Sequence, residues 1–344
     1  MKLRCMAICC LLILNLSRCD GSVSVGATAV GLAGAALYAG FDKLRCTFYE
    51  CCSNNANWVK PNMTALNIAL EAQLHGQHLV RHVVSRALKA HLQNDNPSKA
   101  LVMSFHGWTG GGKNYVSKFI AENMYKLGTK SQYVHVFVST VDFPHEGKVD
   151  IYKLNLQDWI RGNVSRCERS LFIFDEIDKM PLGMINGIKP FIDYHESING
   201  VDFRKSIFIF LSNTGGPDIT RAMLKMWRSG KNREDISMVD LEHLTQLGAF
   251  NEEGGLHKSE IIQHSLVDHY IPFLPLERRH IELCARDEII RRGHKATKDL
   301  IKKVADEMMY FPPENKLFST TGCKRISQKV GFLLADEEYN RLFD

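Results

Sequence analysis

Concentrated charge of one sign is missing from this sequence. Its 344 residues carry 43 lysines and arginines against 38 aspartates and glutamates, and the formal net charge of +5 is spread along the chain without a basic stripe. Proteins that bind nucleic acid usually gather basic side chains on one face. We therefore expect no nucleic-acid partner, and the length suits about two globular domains besides non-globular ends.

Charge is also missing from residues 21–41, a stretch rich in glycine and alanine that ends at Asp42 and Lys43. At ~1.5 Å per residue, a helix of this length could just cross a hydrocarbon layer of ~30 Å. Glycine and alanine contribute less apolar transfer energy than leucine, which favours a segment that lies in or dips into one leaflet. Residues 21–45 are thus predicted to associate with a membrane, and a true span is the alternative.

The stretch before this segment has the layout of a secretory signal peptide. Lys2 and Arg4 precede an apolar core at residues 6–16, although no clean small-x-small cleavage site follows. Charged start and short apolar core together are typical of such signals. We predict a signal peptide over residues 1–20.

Histidine is missing at ligand spacing around the first cysteines of the mature chain, which argues against a zinc site there. The cysteines left after the predicted signal are even in number, which suits disulfides in an oxidising compartment, with ~15 possible pairings. They are Cys46, Cys51, Cys52, Cys167, Cys284 and Cys323. Asn62 and Asn163 begin glycosylation sequons. These features predict a linker rich in Cys and Asn over residues 46–62 and a folded part in the lumen of the secretory pathway.

A glycine-rich loop follows the apolar run at residues 101–106 and precedes a helical pattern at residues 115–127. Its spacing of glycine, four residues, glycine and lysine is typical of a phosphate-binding loop. Because strand, loop and helix agree, a glycine-rich turn with a solvated lysine is the less favoured alternative. The expected ATP-binding residues are Gly107, Trp108, Thr109, Gly110, Gly111, Gly112, Lys113 and Asn114.

Paired carboxylates, Asp175 and Glu176, end a second apolar run at residues 171–174. Ligands of open α/β folds bind at the carboxyl ends of the strands. We expect Asp175 to hold Mg²⁺ through water, together with Asn114, which replaces the usual Ser or Thr of the loop. Glu176 is the expected general base. Two surface acids after a core strand are the alternative, and the phosphate loop upstream disfavours it.

A third apolar run, residues 206–211, leads into Asn213. A polar side chain at this place can hydrogen-bond the γ-phosphate or the attacking water, so Asn213 is a candidate sensor residue. A helix cap is the alternative, and the two roles are compatible.

Helical patterns separated by prolines follow at residues 277–292, 299–310 and 326–334. The apolar runs and helical patterns before them predict an α/β nucleotide-binding domain over residues 63–272, with a parallel sheet between helices. The C-terminal helical patterns predict a small helical domain over residues 273–344. Lys324 opens the last helix, where it could reach the phosphates across the domain boundary. A solvated cap is the alternative for this lysine.

Together the phosphate loop, the acidic pair, the asparagine and the C-terminal lysine resemble an AAA+ ATPase, and most closely the torsin family of Clp-related AAA+ proteins. The resemblance is carried by the loop with its final Asn114 and by the segments at residues 159–165, 172–180, 208–213, 227–231 and 322–324. It runs from about Cys46 to the C-terminus.

The resemblance implies an ATPase of the endoplasmic reticulum lumen and nuclear envelope, including the perinuclear space, associated peripherally with the membrane. It also implies an oligomer of like or related chains that remodels protein complexes or acts as a chaperone. The family pattern further implies that Cys323 pairs with Cys284 beside Lys324, either as a redox-sensitive bond or as a permanent staple.

Two family-level features are missing. Clp-type proteins carry an arginine finger where Leu266 stands, and such a finger accelerates hydrolysis by ~10³ to 10⁵. The resemblance to torsins implies that lumenal domains of membrane proteins of the lamina-associated polypeptide type supply this arginine. An aromatic-glycine pore loop is also missing at residues 141–147, which disfavours a threading unfoldase.

Two functions from different classes follow. The first is a weak ATPase that a partner activates. The alternative is a nucleotide-gated binding module with little turnover, in which ATP only fixes the conformation that grips a partner. A small-molecule kinase would need an acceptor pocket and no helical sensor domain, and is disfavoured.

Overall fold

The computed structural model describes residues 46–52 and 58–341, with side chains up to Asp336. By its internal contacts the chain divides between Cys51 and Cys52. In the described part of the first unit, a disulfide joins Cys46 to Cys51. The predicted signal peptide and membrane-associating segment lie outside the described residues.

A parallel sheet of five strands forms the centre of the second unit, in the order β2-β3-β4-β1-β5. The inner strands β1, β3 and β4 are mostly apolar and buried along almost their whole length, as expected of strands that are covered on both faces. The strands are β1 Leu101–Gly107, β2 Val134–Val138, β3 Leu171–Asp175, β4 Ile207–Ser212 and β5 His269–Phe273.

Helices cover both faces of this sheet. Those of the sheet domain are α1 Met63–Gln73, α2 His78–Gln93, α3 Lys113–Met124, α4 Ser139–Asp142, α5 Val149–Val164, α6 Lys189–Ile192, α7 Gly216–Arg228, α8 Met238–Asn251 and α9 Glu260–Gln263. Short 3₁₀ helices at Ile177–Lys179 and Met184–Ile188 follow β3.

Alternate residues of the strands feed two separate cores. Met103 and Phe105 of β1 pack with α1, α2 and α3, whereas Val102 packs with α5 and the segments after β3. Strand side chains point alternately to the two faces, so one apolar run supplies both cores. The sheet is therefore a fixed platform whose carboxyl edge is free to hold functional side chains.

The C-terminal part is a small helical domain with its own core. It contains α10 Arg278–Arg291, α11 Lys298–Asp306, the antiparallel pair β6 Tyr310–Phe311 and β7 Phe318–Ser319, and α12 Ile326–Arg341. Its buried cluster includes Leu276, Ile281, Leu300 and Val330.

The predicted α/β class with a parallel sheet between helices and a helical C-terminal part is confirmed. One helix differs from the sequence prediction. The helix predicted to reach Tyr310 ends at Asp306, since Tyr310 pairs with Ser319 in a hairpin. No element was predicted for residues 269–273, which form the edge strand β5, where Pro272 is tolerated although it lacks an N–H.

Within the described ranges, no helix combines the length and apolar character needed to cross a bilayer.

A buried ion pair stabilises the N-terminal side of the sheet. Lys99 Nζ lies 2.7 Å from Asp268 Oδ2, and the same oxygen accepts the Val102 N–H at 2.8 Å. Lys99 Nζ also donates to the carbonyl oxygens of Ala100 and Leu266. Burial lowers the pKa of Lys99, and the Asp268 carboxylate opposes that shift.

We expect Asp268→Ala to lower the free energy of unfolding by about 3 kcal/mol, because it leaves a buried ammonium and a backbone N–H without their acceptor. Urea unfolding monitored by circular dichroism measures this change. The matched control is Asp299→Ala, which removes an exposed pair with Lys303 and should leave the midpoint nearly unchanged. Equal midpoints for the two variants would contradict the assignment.

Candidate functional site

The glycine-rich loop connects the end of β1 to the start of α3, as the sequence predicts. Gly107 has φ +142°, and a Cβ there would lie 2.4 Å from the Phe273 carbonyl oxygen. Only glycine fits this close approach between β1 and β5. The α3 N-terminus begins at Lys113, directly after Gly112, so its unpaired N–H groups face the space enclosed by the loop.

Lys113 is the buried cation of this loop. Its Nζ donates to the carbonyl oxygens of Gly107 at 2.6 Å and Trp108 at 3.2 Å, and to Asn213 Oδ1 at 3.1 Å. Burial lowers its pKa to about 8, with a smaller lowering by the charge of Lys324. The carboxylates of Asp178 and Asp175 oppose the shift. An anionic ligand in the loop would therefore stabilise the charged form of Lys113.

Asn114 pairs directly with the acidic tip of β3. Its Nδ2 donates to Asp175 Oδ2 at 2.5 Å, and Asp175 Oδ1 accepts the Glu176 N–H at 2.8 Å. Carboxylate and amide oxygens are ligands that Mg²⁺ accepts. The two residues thus fit a cation that is held beside the loop, with Asn114 in place of a hydroxyl.

Both carboxylate oxygens of Glu176 are engaged. Oε1 accepts from Lys179 Nζ at 3.1 Å, and Oε2 accepts from Thr140 Oγ at 2.9 Å. The Lys179 contact and then the Thr140 contact lower the pKa of Glu176. The side chain is consequently ionised and restrained, and it must exchange one of these contacts before it can accept a proton from water.

Asn213 lies between Lys113 and a residue that the sequence analysis missed, Asp178. The Asn213 N–H donates to Asp178 Oδ1 at 3.0 Å, and Nδ2 donates to Asp178 Oδ2 at 3.2 Å. The third acid of the run Asp-Glu-Ile-Asp was the available signal. Asp178 therefore orients the amide of Asn213 so that its oxygen faces Lys113.

Two buried side chains hold the hinge between sheet and helical domain, and neither has a sequence signal. Gln77 donates to the carbonyl oxygens of Gly111 and Leu274 and accepts the Leu274 N–H. Arg233 donates to the carbonyl oxygens of Gly76 and Pro275 and pairs with Glu277. These contacts join the loop before α2, the phosphate loop and the end of β5.

The small domain contacts the phosphate loop through its segment before α12. Trp108 Nε1 donates to the Thr320 carbonyl oxygen at 2.7 Å, and the Cys323 N–H donates to the Gly110 carbonyl oxygen at 3.2 Å. A disulfide joins Cys323 to Cys284 of α10, the pairing implied by the resemblance. Lys324 is exposed at the edge of the same space, and its charge lowers the pKa of Glu176 as well as that of Lys113.

One cavity of about 1240 Å³ is lined by Lys113, Asn114, Asp175, Glu176, Asn213 and Lys324. Apolar side chains also line it, among them Leu74, Phe119, Leu276, Ile290 and Ile326. His75 Nε2 lies 2.6 Å from Asp287 Oδ2, which joins the loop before α2 to α10 across this cavity. A site with phosphate-binding groups and an apolar part suits a nucleotide.

Not every predicted residue lies here. Asn62 caps α1 by accepting the Ala65 N–H, and Asn163 donates to the Trp159 carbonyl oxygen within α5. Asn62 is exposed and Asn163 is half-buried, and their glycosylation stays a prediction. Leu266 is 1% exposed within the second core, and Phe143 of the segment after β2 is also buried.

Two family models match separate parts of the chain. A family model described as Torsin matches residues 46–174, and a model described as Torsin-1A, C-terminal domain matches residues 276–333. A protein named Torsin-like protein from Caenorhabditis elegans is 41% identical over 318 residues, which cover 92% of this chain and 89% of that protein.

Among solved structures, an S. cerevisiae Hsp104-ADP complex has a TM-score of 0.55 and 15% identity over 81% of this chain. A closed-state cryo-EM reconstruction of Hsp104 with ATPγS and FITC casein has a TM-score of 0.51 and 13% identity over 81% of this chain. The chain spans about half the length of these Hsp104 chains, 47% in each case. At this identity the likeness shows the fold alone.

The lowered pKa of Lys113 predicts a pH dependence of phosphate binding. Above pH 8 the free protein loses the Lys113 proton, whereas a bound triphosphate raises that pKa and restores it. The affinity for ATP should therefore fall as pH rises above about 8, by up to about tenfold per unit. Calorimetry in buffers of different ionisation enthalpy should detect proton uptake at pH 9.

Lys113→Arg is the control, because a guanidinium keeps its proton throughout this range. Any ATP binding that remains in this variant should proceed without proton uptake. A wild-type affinity that stays constant between pH 7.5 and 9.5 would contradict the role given to Lys113.

Proposed function

The chain belongs to the torsin family of AAA+ proteins, and on that premise we propose that it is an ATPase with weak turnover until a membrane-protein partner activates it. One observation carries the proposal: Lys113, Asn114, Asp175, Glu176 and Asn213 converge at the carboxyl edge of one parallel sheet. This arrangement places a phosphate-binding loop, a cation site and a general base next to one another, and hydrolysis of a terminal phosphate requires all three.

The loop and Lys113 bind the phosphates of ATP in this proposal. The N–H groups at the start of α3 donate to phosphate oxygens, and Lys113 exchanges its carbonyl contacts for the terminal phosphates. Asn114 and Asp175 would hold Mg²⁺, with Asp175 acting through water. The ion would supply positive charge beside the phosphate oxygens.

Glu176 accepts the proton of the attacking water at its carboxylate. Thr140 and Lys179 occupy its two oxygens, so one of them must leave before water can take that place. Asn213, oriented by Asp178, hydrogen-bonds the water or the γ-phosphate. The restraint on Glu176 is one reason to expect slow turnover in the protein alone.

The second reason is the lack of an arginine finger at its family position. Leu266 is buried there and its carbonyl accepts from Lys99, so its side chain lies in the core rather than on an accessible surface. An arginine from a partner would supply the missing charge, with an expected gain of ~10³ to 10⁵ in rate. The family resemblance points to lumenal domains of membrane proteins of the lamina-associated polypeptide type.

We place this activity in the endoplasmic reticulum lumen and nuclear envelope. The disulfides Cys46–Cys51, Cys52–Cys167 and Cys284–Cys323 support an oxidising compartment. Peripheral membrane association and assembly into oligomers complete the proposal, with remodelling of protein complexes as the outcome of turnover.

A nucleotide-gated binding module is the second candidate, and the doubly restrained Glu176 favours it. In this reading ATP holds the partner-binding conformation and slow hydrolysis only releases it. Glu176→Gln separates the two functions. A remodelling ATPase loses function with this change, whereas a binding module retains function and holds its partner longer.

We expect the full chain, purified in detergent, to turn over ATP slowly alone and at least about 10³-fold faster with a partner's lumenal domain. Phosphate release measures the rates. Glu176→Gln should bind ATP but abolish the stimulated rate, and a partner whose candidate arginine is replaced by alanine is the matched control. Brisk turnover without a partner, or failure to retain ATP, would refute the proposal.

The disulfide provides a proposed route by which redox state reaches the ATP site. Cys323 is linked to α10 by its sulfur and to the Gly110 carbonyl by its N–H. Reduction should loosen this segment and lower ATP affinity by about tenfold, the effect of losing about 1.4 kcal/mol. Fluorescence titration with and without dithiothreitol measures it. Cys284→Ser should bind ATP with the affinity of the reduced wild type, and dithiothreitol should no longer change that affinity. If reduction leaves the ATP affinity of the wild type unchanged, the disulfide has only a structural role.

A further inference from the structure

A group of polar side chains lies buried in β1 and at the end of β4, next to the proposed ATP site. None of these side chains has a part in the proposed ATPase mechanism. Ser104 and His106 belong to β1, Ser212 ends β4, and Thr214 follows in the next turn. All four are buried, and His106 is 0% exposed. The neighbouring strand residues are apolar, so this group is a chemical exception in the core.

The four side chains form one continuous hydrogen-bonded chain. Ser104 Oγ lies 2.6 Å from His106 Nε2, and His106 Nδ1 lies 3.1 Å from Thr214 Oγ. Thr214 Oγ lies 2.8 Å from Ser212 Oγ, which also accepts the Thr214 N–H. His106 and Ser212 are partners in the β1–β4 register. The chain thus connects the strand before the phosphate loop to the turn that carries Asn213.

His106 remains neutral throughout the physiological range. Burial lowers its pKa to about 3, with a smaller lowering by the charge of Lys113. A neutral imidazole has one donor and one acceptor nitrogen, which matches two hydroxyl neighbours. The link is therefore a permanent hydrogen-bonded connection and not a pH switch.

Stability alone does not account for this group. Replacing buried hydrogen-bonded partners by apolar groups of the same shape is often nearly neutral or stabilising. What the link adds is position. The link holds Thr214, the residue after Asn213. The same turn lies close to the phosphate loop, since a Cβ on Gly216 would lie 3.0 Å from the Trp108 nitrogen. The turn is thereby held against the start of the phosphate loop.

We propose that His106 is a positioning residue that acts through Thr214 to hold Asn213 at the phosphate loop. The inference rests on the proposed ATPase function. When Lys113 moves from Asn213 Oδ1 to the phosphates, the His106–Thr214 bond keeps the asparagine in place to orient the water. Loss of this bond should therefore lower kcat and leave KM nearly unchanged.

Matched variants separate the two bonds of the imidazole. In His106→Asn, the amide places a polar atom near the position of Nδ1 of the native imidazole. In His106→Gln, the longer side chain places a polar atom near the position of Nε2 instead. His106→Asn should keep the Thr214 contact and retain kcat within about threefold, whereas His106→Gln should lose about tenfold, the effect of ~1.4 kcal/mol. Thr214→Val should resemble His106→Gln, and Thr214→Ser should resemble the wild type.

A double-mutant cycle tests whether His106 acts through Asn213. If it does, Thr214→Val causes no further loss of kcat in an Asn213→Ala background. The inference would be overturned if the kcat losses of Thr214→Val and Asn213→Ala multiplied in the double variant. It would also be overturned if Thr214→Val raised KM with normal kcat, or if kcat changed among the variants only in step with the melting temperature. So would a Thr214→Val variant with full activity. Thr214→Val and Thr214→Ser differ by few atoms from the native side chain, so folding can be matched between them.

Failure of the proposed function shows in the wild type before any variant is compared. If partners give no stimulation but the free chain turns over slowly, the same variants are compared on that slow rate. A wild type without any hydrolysis overturns both conclusions. ¹⁵N spectra of the His106 ring give a second readout, since Thr214→Val should shift the Nδ1 resonance and Asn213→Ala should not.

Discussion

The contact between Gly110 of the phosphate loop and Gly322 of the small domain is the constraint on which the site depends. The Cys323 N–H donates to the Gly110 carbonyl, and a Cβ on Gly322 would lie 2.2 Å from the same oxygen. Two backbones can approach this closely only where side chains are missing. The approach brings the disulfide and Lys324 to the loop, and it makes one cavity from parts of two domains.

Packing elsewhere supports this approach. Phe318 of the β6–β7 hairpin is buried together with Leu274 and Leu79 of the sheet domain. Arg233 and Gln77 add hydrogen bonds that join the loop before α2 to the segment after β5. The position of the small domain therefore follows from an apolar cluster, a buried guanidinium and a backbone contact, so a change at any of them would alter its contact with the glycine-rich loop.

The charged side chains of the site are held by internal contacts. Lys113 is held by carbonyl oxygens and the Asn213 amide, and Glu176 is held by Lys179 and Thr140. Each of these side chains thus has an internal partner that a ligand would have to replace. This arrangement supports the proposed control of turnover by a partner, because the internal contacts stabilise the arrangement in which both side chains are occupied.

The sequence by itself determined the fold class, the phosphate loop, Asp175, Glu176 and Asn213, because each belongs to a run of neighbouring residues whose spacing reflects local geometry. Tertiary structure alone decided the rest. Gln77 and His106 carry no local signal, and their partners Leu274 and Thr214 follow the ends of β5 and β4, far away in the sequence. The edge position of β5, the burial of Leu266 and the approach of Gly322 to Gly110 likewise arise only when distant segments meet, since packing and not neighbouring sequence places them.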